Sequence, residues 1–167
     1  MDQNEENVRE LCNGNFGVTE PNGGNIAVLS ASSGWSSGWK EGTKVNNKKI
    51  GNISDYDESF ECISKYRGLA LRGDMWAEFE NGKKRENLDG MGINQKRVTS
   101  DYVQFYDTRT FKRKKGWASQ KVELKPEVYV YKASGNIYFS CYTRAYSTGS
   151  VSNVYLDAKI KRIDFIY

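Results

Sequence analysis

A regular alternation of apolar and polar side chains is the feature of this sequence that most restricts its fold. Residues 136–147 (NIYFSCYTRAYS) place every second side chain on the same face of an extended chain. One face holds Ile137, Phe139, Cys141, Thr143 and Ala145, and the other holds Tyr138, Ser140, Tyr142, Arg144 and Tyr146. A period of two predicts a β-strand with one buried face, because an α-helix repeats every 3.6 residues.

The last segment, residues 151–167, repeats this pattern with one irregularity. Its apolar face holds Val154, Leu156, Ala158 and Ile160, and then moves by one position to Ile163 and Phe165. A shift of one residue reverses the face of every later side chain, unless an extra residue bulges out of the strand. The sequence therefore predicts a β-bulge between Ile160 and Ile163.

Other strand-length runs are separated by clusters of Gly, Asn, Asp and Ser, with no helix-length amphipathic segment between them. They span residues 25–31, 58–66, 68–73, 75–82, 100–108, 119–126 and 127–135. About eight or nine strands joined by turns predict an all-β domain, a two-sheet jelly-roll sandwich. We expect residues 13–167 to form this domain and residues 1–12 to form a short N-terminal helix or tail.

Several landmarks along the chain resemble those of galactose-binding-like jelly-roll domains, of which carbohydrate-binding modules are the best-known members. They are NGNF at 13–16, Gly34-Trp35, YRGLALRG at 66–73 and VYLDAKIKRI at 154–163. The resemblance implies a non-catalytic domain that binds carbohydrate. Gly17 stands where such modules usually carry an acidic residue, which leaves in doubt a structural calcium built from the two chain ends.

The absence of histidine excludes several enzyme classes. Ser-His-Asp and Cys-His hydrolases and histidine acid–base enzymes all need an imidazole. A zinc site would have to use all three cysteines and a carboxylate. Cys12 and Cys62 could instead form a disulfide, and Cys141 is expected to be a small buried apolar residue. We therefore expect a binding protein rather than an enzyme, without a cofactor.

The chain start and the net charge leave the compartment and the partner open. Residues 1–6 are acidic and polar, unlike a secretory signal, and no apolar run approaches the ~20 residues of a membrane span. The chain is thus expected to be cytosolic, part of a virion, or a domain of a longer secreted protein. A net charge of +4 permits a nucleic-acid partner without requiring one.

The four tryptophans are the predicted ligand contacts. Trp35 and Trp39 each end the tetrapeptide Ser-Ser-Gly-Trp and can point at one target, because residues four apart share a face in a strand or a helix. Trp76 is predicted on the polar side of its strand, and Trp117 lies in a basic run. Each could stack on a sugar ring, or could instead fill or cover the end of the sandwich.

A sheet face rich in tyrosine is the second predicted feature of the site. We expect it to combine Trp76 with tyrosines and a few polar residues, among which Tyr142, Arg144 and Glu78 would contact the ligand. Its members would be Trp76, Glu78, Tyr102, Gln104, Tyr106, Tyr138, Tyr142 and Arg144. The same composition also occurs on ordinary solvated faces, because tyrosine favours strands.

Three clusters of charge complete the candidates. Lys112, Arg113, Lys114 and Lys115 are expected in an exposed loop or hairpin end, which could bind nucleic acid, an acidic glycan or a lipid surface. The acidic clusters are Asp55, Asp57 and Glu58, and Glu78 with Glu80. Calcium or acid–base catalysis is conceivable there, but solubilising surface charge is the simpler interpretation.

Two functions from different classes are consistent with these features. The first is recognition of a carbohydrate or a glycan-bearing surface through exposed aromatic residues. The alternative is a structural or host-attachment protein of a virus or phage, which would assemble into a homo-oligomer through its sheet faces.

Overall fold

The structure is a computed structural model that describes residues 12, 25–30, 36–56, 58–79, 84–115, 118–149 and 154–166. This part of the chain contains eleven β-strands, one 3-10 turn and one α-helix. The strands are β1 (Asn25–Ser30), β2 (Ser36–Asn52), β3 (Gly68–Phe79), β4 (Lys84–Asn87), β5 (Met91–Ile93), β6 (Gln95–Val98), β7 (Tyr102–Tyr106), β8 (Arg109–Lys115), β9 (Ala118–Tyr131), β10 (Asn136–Gly149) and β11 (Val154–Ile166). The 3-10 turn covers Ile53–Tyr56, and helix α1 covers Phe60–Lys65.

The strands form two antiparallel sheets. The five-stranded sheet has the order β1-β11-β3-β4, with β5 also paired to β3. The six-stranded sheet has the order β2-β10-β9-β7-β6, with β8 also paired to β9. The predicted all-β two-sheet sandwich is confirmed. The predicted N-terminal helix or tail lies outside the described residues, apart from Cys12.

The predicted β-bulge in the last strand is confirmed. The pairing of β11 with β3 changes register between Ile160 and Arg162. Gly73 lies opposite this point with a φ of 154°, and a Cβ there would collide with the carbonyl oxygen of Lys159. Glycine lets the chain continue past the bulge, so the two strands predicted at 68–73 and 75–82 form the single strand β3.

Strand β9 likewise joins two predicted strands and continues through Pro126. Its residues 127–131 pair with β7, and its residues 118–124 pair with β8. The carbonyl of Pro126 accepts a hydrogen bond from the Asp107 amide at 3.3 Å, at the point where one partner strand replaces the other. A proline is tolerated there because its missing N–H faces the gap between the two partners.

The prediction of a strand at 58–66 is wrong, because residues 60–65 form helix α1. The Ser59 hydroxyl caps the helix by accepting a hydrogen bond from the Cys62 amide at 3.2 Å. At the other end, the Lys96 ammonium donates to the carbonyls of Ser64 and Tyr66 at 2.7 and 2.8 Å. Phe60 and Cys62 have the spacing of a strand face, whereas Phe60 and Ile63 have the spacing of a helix face, so local capping decides the structure.

The core between the sheets is centred on Phe165. Its ring contacts those of Tyr66 at 5.4 Å, Tyr56 at 5.8 Å and Phe105 at 6.0 Å. Phe105 belongs to the six-stranded sheet and Phe165 to the five-stranded one, so this contact joins the two layers. Truncating a buried aromatic ring of this kind to alanine typically costs about 3–5 kcal/mol.

The three cysteines occupy two kinds of environment. Cys12 and Cys62 form a disulfide with their Cα atoms 5.5 Å apart, which joins the N-terminal region to α1. Cys141 is a free, fully buried thiol on β10, as predicted. Within the described residues, no helix has the length and apolar character needed to cross a bilayer.

Candidate functional site

The outward-facing side of the six-stranded sheet collects many of the predicted polar and aromatic residues. In β9 and β10, alternate side chains enter the core, and those between them point away from it. The strand register then places the outward residues in neighbouring rows. We call this surface the outer face; it is formed by Tyr102, Gln104, Tyr106, Glu123, Lys125, Glu127, Tyr129, Tyr131, Tyr138, Ser140, Tyr142 and Arg144.

Four tyrosines at one end of the outer face contact each other. Tyr131 lies 5.7 Å from Tyr102, 6.3 Å from Tyr129 and 5.5 Å from Tyr138, measured between ring centroids. The rings of Tyr131 and Tyr138 are nearly perpendicular, at 86°. A ligand between these two rings would therefore meet the flat face of one and the edge or hydroxyl of the other.

A buried hydrogen-bond network fixes this cluster from one side. The Gln104 amide donates to the Tyr129 hydroxyl at 3.1 Å and to Glu127 at 3.2 Å, and the Tyr129 hydroxyl donates to Glu127 at 3.0 Å. Burial, together with the bond to Glu127, raises the pKa of Tyr129 to about 12. Tyr129 therefore stays protonated at neutral pH and supports the rings beside it.

A bulge in β2 builds one wall of a cavity next to these rings. The register between β2 and β10 shifts around Ser140, and Asn47 adopts a φ of 48° there. The Asn47 amide N–H donates to the Ser140 hydroxyl at 2.9 Å, and that hydroxyl donates to the Asn47 side-chain oxygen at 3.3 Å. Asparagine tolerates this left-handed conformation better than most residues, and the bulge holds it against the outer face.

The turn between β9 and β10 builds the opposite wall. Gly135, with a φ of 73°, closes the turn by donating to the Tyr131 carbonyl at 2.8 Å. The Asn52 side chain donates to the Ser134 carbonyl and to the Asn136 side-chain oxygen, each at 3.0 Å, which ties the turn to β2. The Asn136 amide in turn donates to the Tyr138 hydroxyl at 3.3 Å. The rim is therefore fixed before any ligand arrives.

These elements enclose a cavity of about 520 Å³, the first cavity, lined by Asn47, Tyr131, Ala133, Ser134, Asn136 and Tyr138. A second cavity of about 500 Å³ lies on the other side of Tyr131 and Ala133, with Ser100, Asp101 and Lys132 in its wall. Both volumes fall in the range of small-molecule sites. Since Tyr131 borders both, a ligand longer than one ring could contact the two cavities together.

The other end of the outer face is basic. The Arg144 guanidinium donates to both oxygens of Glu123, at 2.8 and 3.2 Å. The Lys125 ammonium lies 3.8 Å from Glu123 and 6.0 Å from the centre of the Tyr142 ring. Tyr142 and Arg144, both predicted to contact a ligand, are thus neighbours here, and Arg144 is oriented by its carboxylate partner.

The predicted basic loop forms a hairpin whose first strand is β8. Lys112 is exposed and lies opposite Lys121 in the pairing of β8 with β9. The side chains of Arg113, Lys114 and Lys115 lie outside the described part of the structure.

The expectation that Trp76 and Glu78 share a face with Tyr142 and Arg144 is wrong. Trp76 and Glu78 lie on β3 in the five-stranded sheet, whereas Tyr142 and Arg144 lie on β10 in the six-stranded sheet. Trp76 is half-buried between core residues Met75 and Ala77. Alternation along one strand cannot reveal which sheet that strand joins, since pairing is decided by distant residues.

The remaining tryptophans are only partly placed. The backbone of Trp39 lies in β2, in register with Tyr146 of β10, and its side chain is not among the described groups. Trp35 and Trp117 lie outside the described residues. The contribution of these three to a ligand surface stays a prediction.

Calcium is conceivable at Asp55, Asp57 and Glu58 from the sequence, and acid–base catalysis at Glu78 and Glu80, although solubilising charge is the simpler interpretation of both clusters. Asp55 accepts a hydrogen bond from the Asn52 amide at 3.0 Å, as in an ordinary turn, and Asp57 and Glu80 lie outside the described residues. Glu58 lies beside Cys12 and Cys62. The two sulfurs are bonded to each other, so they do not offer two thiolates to a zinc ion.

A smaller cleft of about 310 Å³ lies at an edge of the sandwich, between the turn at Asp89–Gly90 and β8. The Arg109 guanidinium donates twice to the Gly92 carbonyl there, at 2.7 and 3.1 Å. Arg109 thereby connects an edge of each sheet, since Gly92 belongs to β5 and Arg109 to β8. The Arg109 contacts therefore hold the sandwich together, and the cleft is smaller than the two cavities beside Tyr131.

Sequence reasoning missed Tyr131 and Asn47, which line the first cavity, and Tyr129, which supports it. Tyr129 and Tyr131 alternate with Val128 and Val130, and this pattern was sufficient to place both tyrosines on the outer face. Asn47 gave no such signal, because it enters the site through a bulge that depends on the partner strand.

No protein-family model, curated protein or solved structure matches this chain. The resemblance to carbohydrate-binding modules therefore stays a prediction from the sequence.

Proposed function

We propose that this protein binds carbohydrate, without catalysis, on the outer face of its six-stranded sheet. The observation that supports this best is the first cavity, whose wall combines two tyrosine rings with the polar side chains of Asn47, Ser134 and Asn136. The C–H faces of a pyranose stack on aromatic rings, and its hydroxyls need amide and hydroxyl partners at fixed positions. The cavity supplies both on a rim that is already hydrogen-bonded.

The charges around the two cavities favour binding over hydrolysis. Glycoside hydrolases generally need a pair of carboxyl groups that flank the scissile bond. Among the lining residues that the structure describes in the first and second cavities, Asp101 alone carries a carboxylate. A single carboxylate can accept hydrogen bonds from sugar hydroxyls, which is a role in binding.

A glycan array followed by calorimetry tests this proposal. Tyr131→Ala and Tyr138→Ala should each weaken binding of the best array ligand by about 10- to 100-fold, as for aromatic anchors at other interfaces. Tyr106→Ala is the matched control, since Tyr106 lies on the same face but does not line either cavity. Its affinity should stay within about 2-fold of the wild type.

The assembly alternative makes a different prediction for the same variants. If the outer face holds a second copy of the chain, light scattering should show an oligomer that Tyr131→Ala and Tyr138→Ala dissociate, and no glycan should bind. A monomer that binds no glycan on the array would refute the carbohydrate proposal.

A further inference from the structure

We propose that the ligand is an acidic oligosaccharide that runs along β10, with an uncharged ring in the first cavity and its acidic groups over Lys44 and Lys125. This inference rests on the proposed function and specifies the class of glycan. Lys44 and Lys125 lie opposite Tyr142 on its two neighbouring strands, β2 and β9. Both lysines are exposed, so together they flank the tyrosine with positive charge.

The described carboxylates along this part of β9 are already paired, since Glu127 accepts hydrogen bonds from Gln104 and Tyr129, and Glu123 binds Arg144. Arg144 holds both oxygens of Glu123 at 2.8 and 3.2 Å, and Lys125 approaches the same group at 3.8 Å. Lys44 makes no ion pair with any described residue. Among the described side chains in the row around Tyr142, the three cations Lys44, Lys125 and Arg144 outnumber Glu123, and the two lysines can accept an anionic ligand.

The positive charge continues beyond this row. Lys112 and Lys121 lie directly opposite each other in the pairing of β8 with β9. The hairpin thus extends the same positively charged track.

The spacing of these features fits an oligosaccharide. Tyr138 and Tyr142 are four residues apart on β10, which separates the first cavity from the lysine row by about 13 Å. A monosaccharide in the cavity cannot reach Lys44 or Lys125, whereas a chain of several sugars can. The described residues in the wall of the first cavity carry no charged side chain, so the ring that occupies it should be uncharged.

A sugar anion fits these groups better than nucleic acid does. Nucleic-acid sites typically offer flat aromatic platforms to successive bases and arginine forks to phosphates. Here Tyr131 and Tyr138 meet at 86°, and Arg144 is already bound to Glu123 at both oxygens. Lysine ammonium groups are point charges that attract carboxylate, sulfate and phosphate groups alike, so the arrangement of the tyrosine rings and of Arg144 distinguishes a sugar from nucleic acid.

The test compares tetrasaccharides of hexuronic acids, the same tetrasaccharides after reduction of their carboxyl groups, and sulfated tetrasaccharides, all by calorimetry. Wild-type protein should bind an acidic tetrasaccharide more tightly than its reduced form, and the advantage should shrink as salt rises from about 0.05 to 0.5 M. The double variant Lys44→Ser with Lys125→Ser should bind the acidic tetrasaccharide about 5-fold more weakly than the wild type does. Its affinity for the reduced tetrasaccharide should be unchanged. Preference for carboxylate or for sulfate identifies the anion, and either supports the inference.

The control is Lys65→Ser with Lys159→Ser, which removes the same charge from exposed sites away from the outer face. This control variant should bind the acidic tetrasaccharide with the wild-type affinity. Equal, salt-insensitive binding of acidic and reduced sugars would overturn the inference while leaving the proposed function intact. The inference would also be overturned if single-stranded DNA bound through Lys44 and Lys125, displaced the acidic tetrasaccharide completely, and bound Tyr131→Ala as tightly as the wild type. No binding of any sugar would refute the proposed function itself.

Discussion

Tyr129 shows how a single side chain can support a site without lining it. Its hydroxyl is shared between Gln104 and Glu127, and its ring stacks near Tyr131 at 6.3 Å with an interplanar angle of 22°. Gln104 is itself buried on this face. Leaving a buried polar group without a hydrogen-bond partner destabilises the folded state, so the network keeps Tyr129, and with it Tyr131, in one orientation.

The raised pKa of Tyr129 predicts an alkaline loss of stability. The Tyr129 hydroxyl has a pKa of about 12 in the folded protein, compared with about 10 in the unfolded chain. The stability that comes from this pKa difference is complete below about pH 10 and is lost as the pH rises toward 12. Tyr129→Phe cannot titrate, so its unfolding free energy should fall less between about pH 8 and pH 11. Urea unfolding at both pH values measures this, with Tyr106→Phe as the matched control. Equal alkaline losses in wild type and Tyr129→Phe would contradict the account.

At the scale of elements, local alternation predicted β10 and β11 well, including the bulge, because each has one face in the core. It failed for α1, since Phe60 and Cys62 fit a strand, Phe60 and Ile63 fit a helix, and the Ser59 cap decides between them. It also failed for the charged strand β8, which is held by its register with β9 rather than by its own composition. The alternation correctly placed Tyr142 and Arg144 on one face. It could not place Trp76 relative to them, because that depends on which sheet each strand joins.

The disulfide predicts a strong dependence of stability on oxidation. Cys12 and Cys62 are 50 residues apart, and closing such a loop typically contributes about 2–4 kcal/mol. Cys12→Ser with Cys62→Ser should therefore melt at a lower temperature than the oxidised wild type. Reductant should lower the wild-type melting temperature to that of the variant and leave the variant unchanged.

Thiol counting provides an independent check on the same disulfide. Burial raises the pKa of the Cys141 thiol to about 12, so native oxidised protein should resist alkylation. After unfolding without reductant, one thiol should react, and after reduction all three should react. Three reactive thiols in the unreduced, unfolded protein would show that Cys12 and Cys62 do not pair.

At the scale of the whole molecule, the sandwich presents one face whose two ends differ in chemistry. The tyrosine end is enclosed by fixed turns, since the Thr99 hydroxyl binds the Asp101 and Tyr102 amides on one side and Asn52 holds the β9–β10 turn on the other. The opposite end carries exposed lysines on neighbouring strands. A rigid sheet that joins the two ends favours a ligand of matching length, because little ordering is needed on binding.

The central claim, that a sugar occupies the outer face beside Tyr131, is tested most directly by nuclear magnetic resonance. Isotope-labelled protein would be titrated with the tightest glycan from the array, and backbone amide shifts would be mapped onto the sheets. The account predicts that the largest shifts cluster at Asn47 and at residues 131–138, with smaller ones near Lys44 and Tyr142. Largest shifts at Trp76 on the five-stranded sheet, or at residues 88–92 beside the smaller cleft, would contradict it.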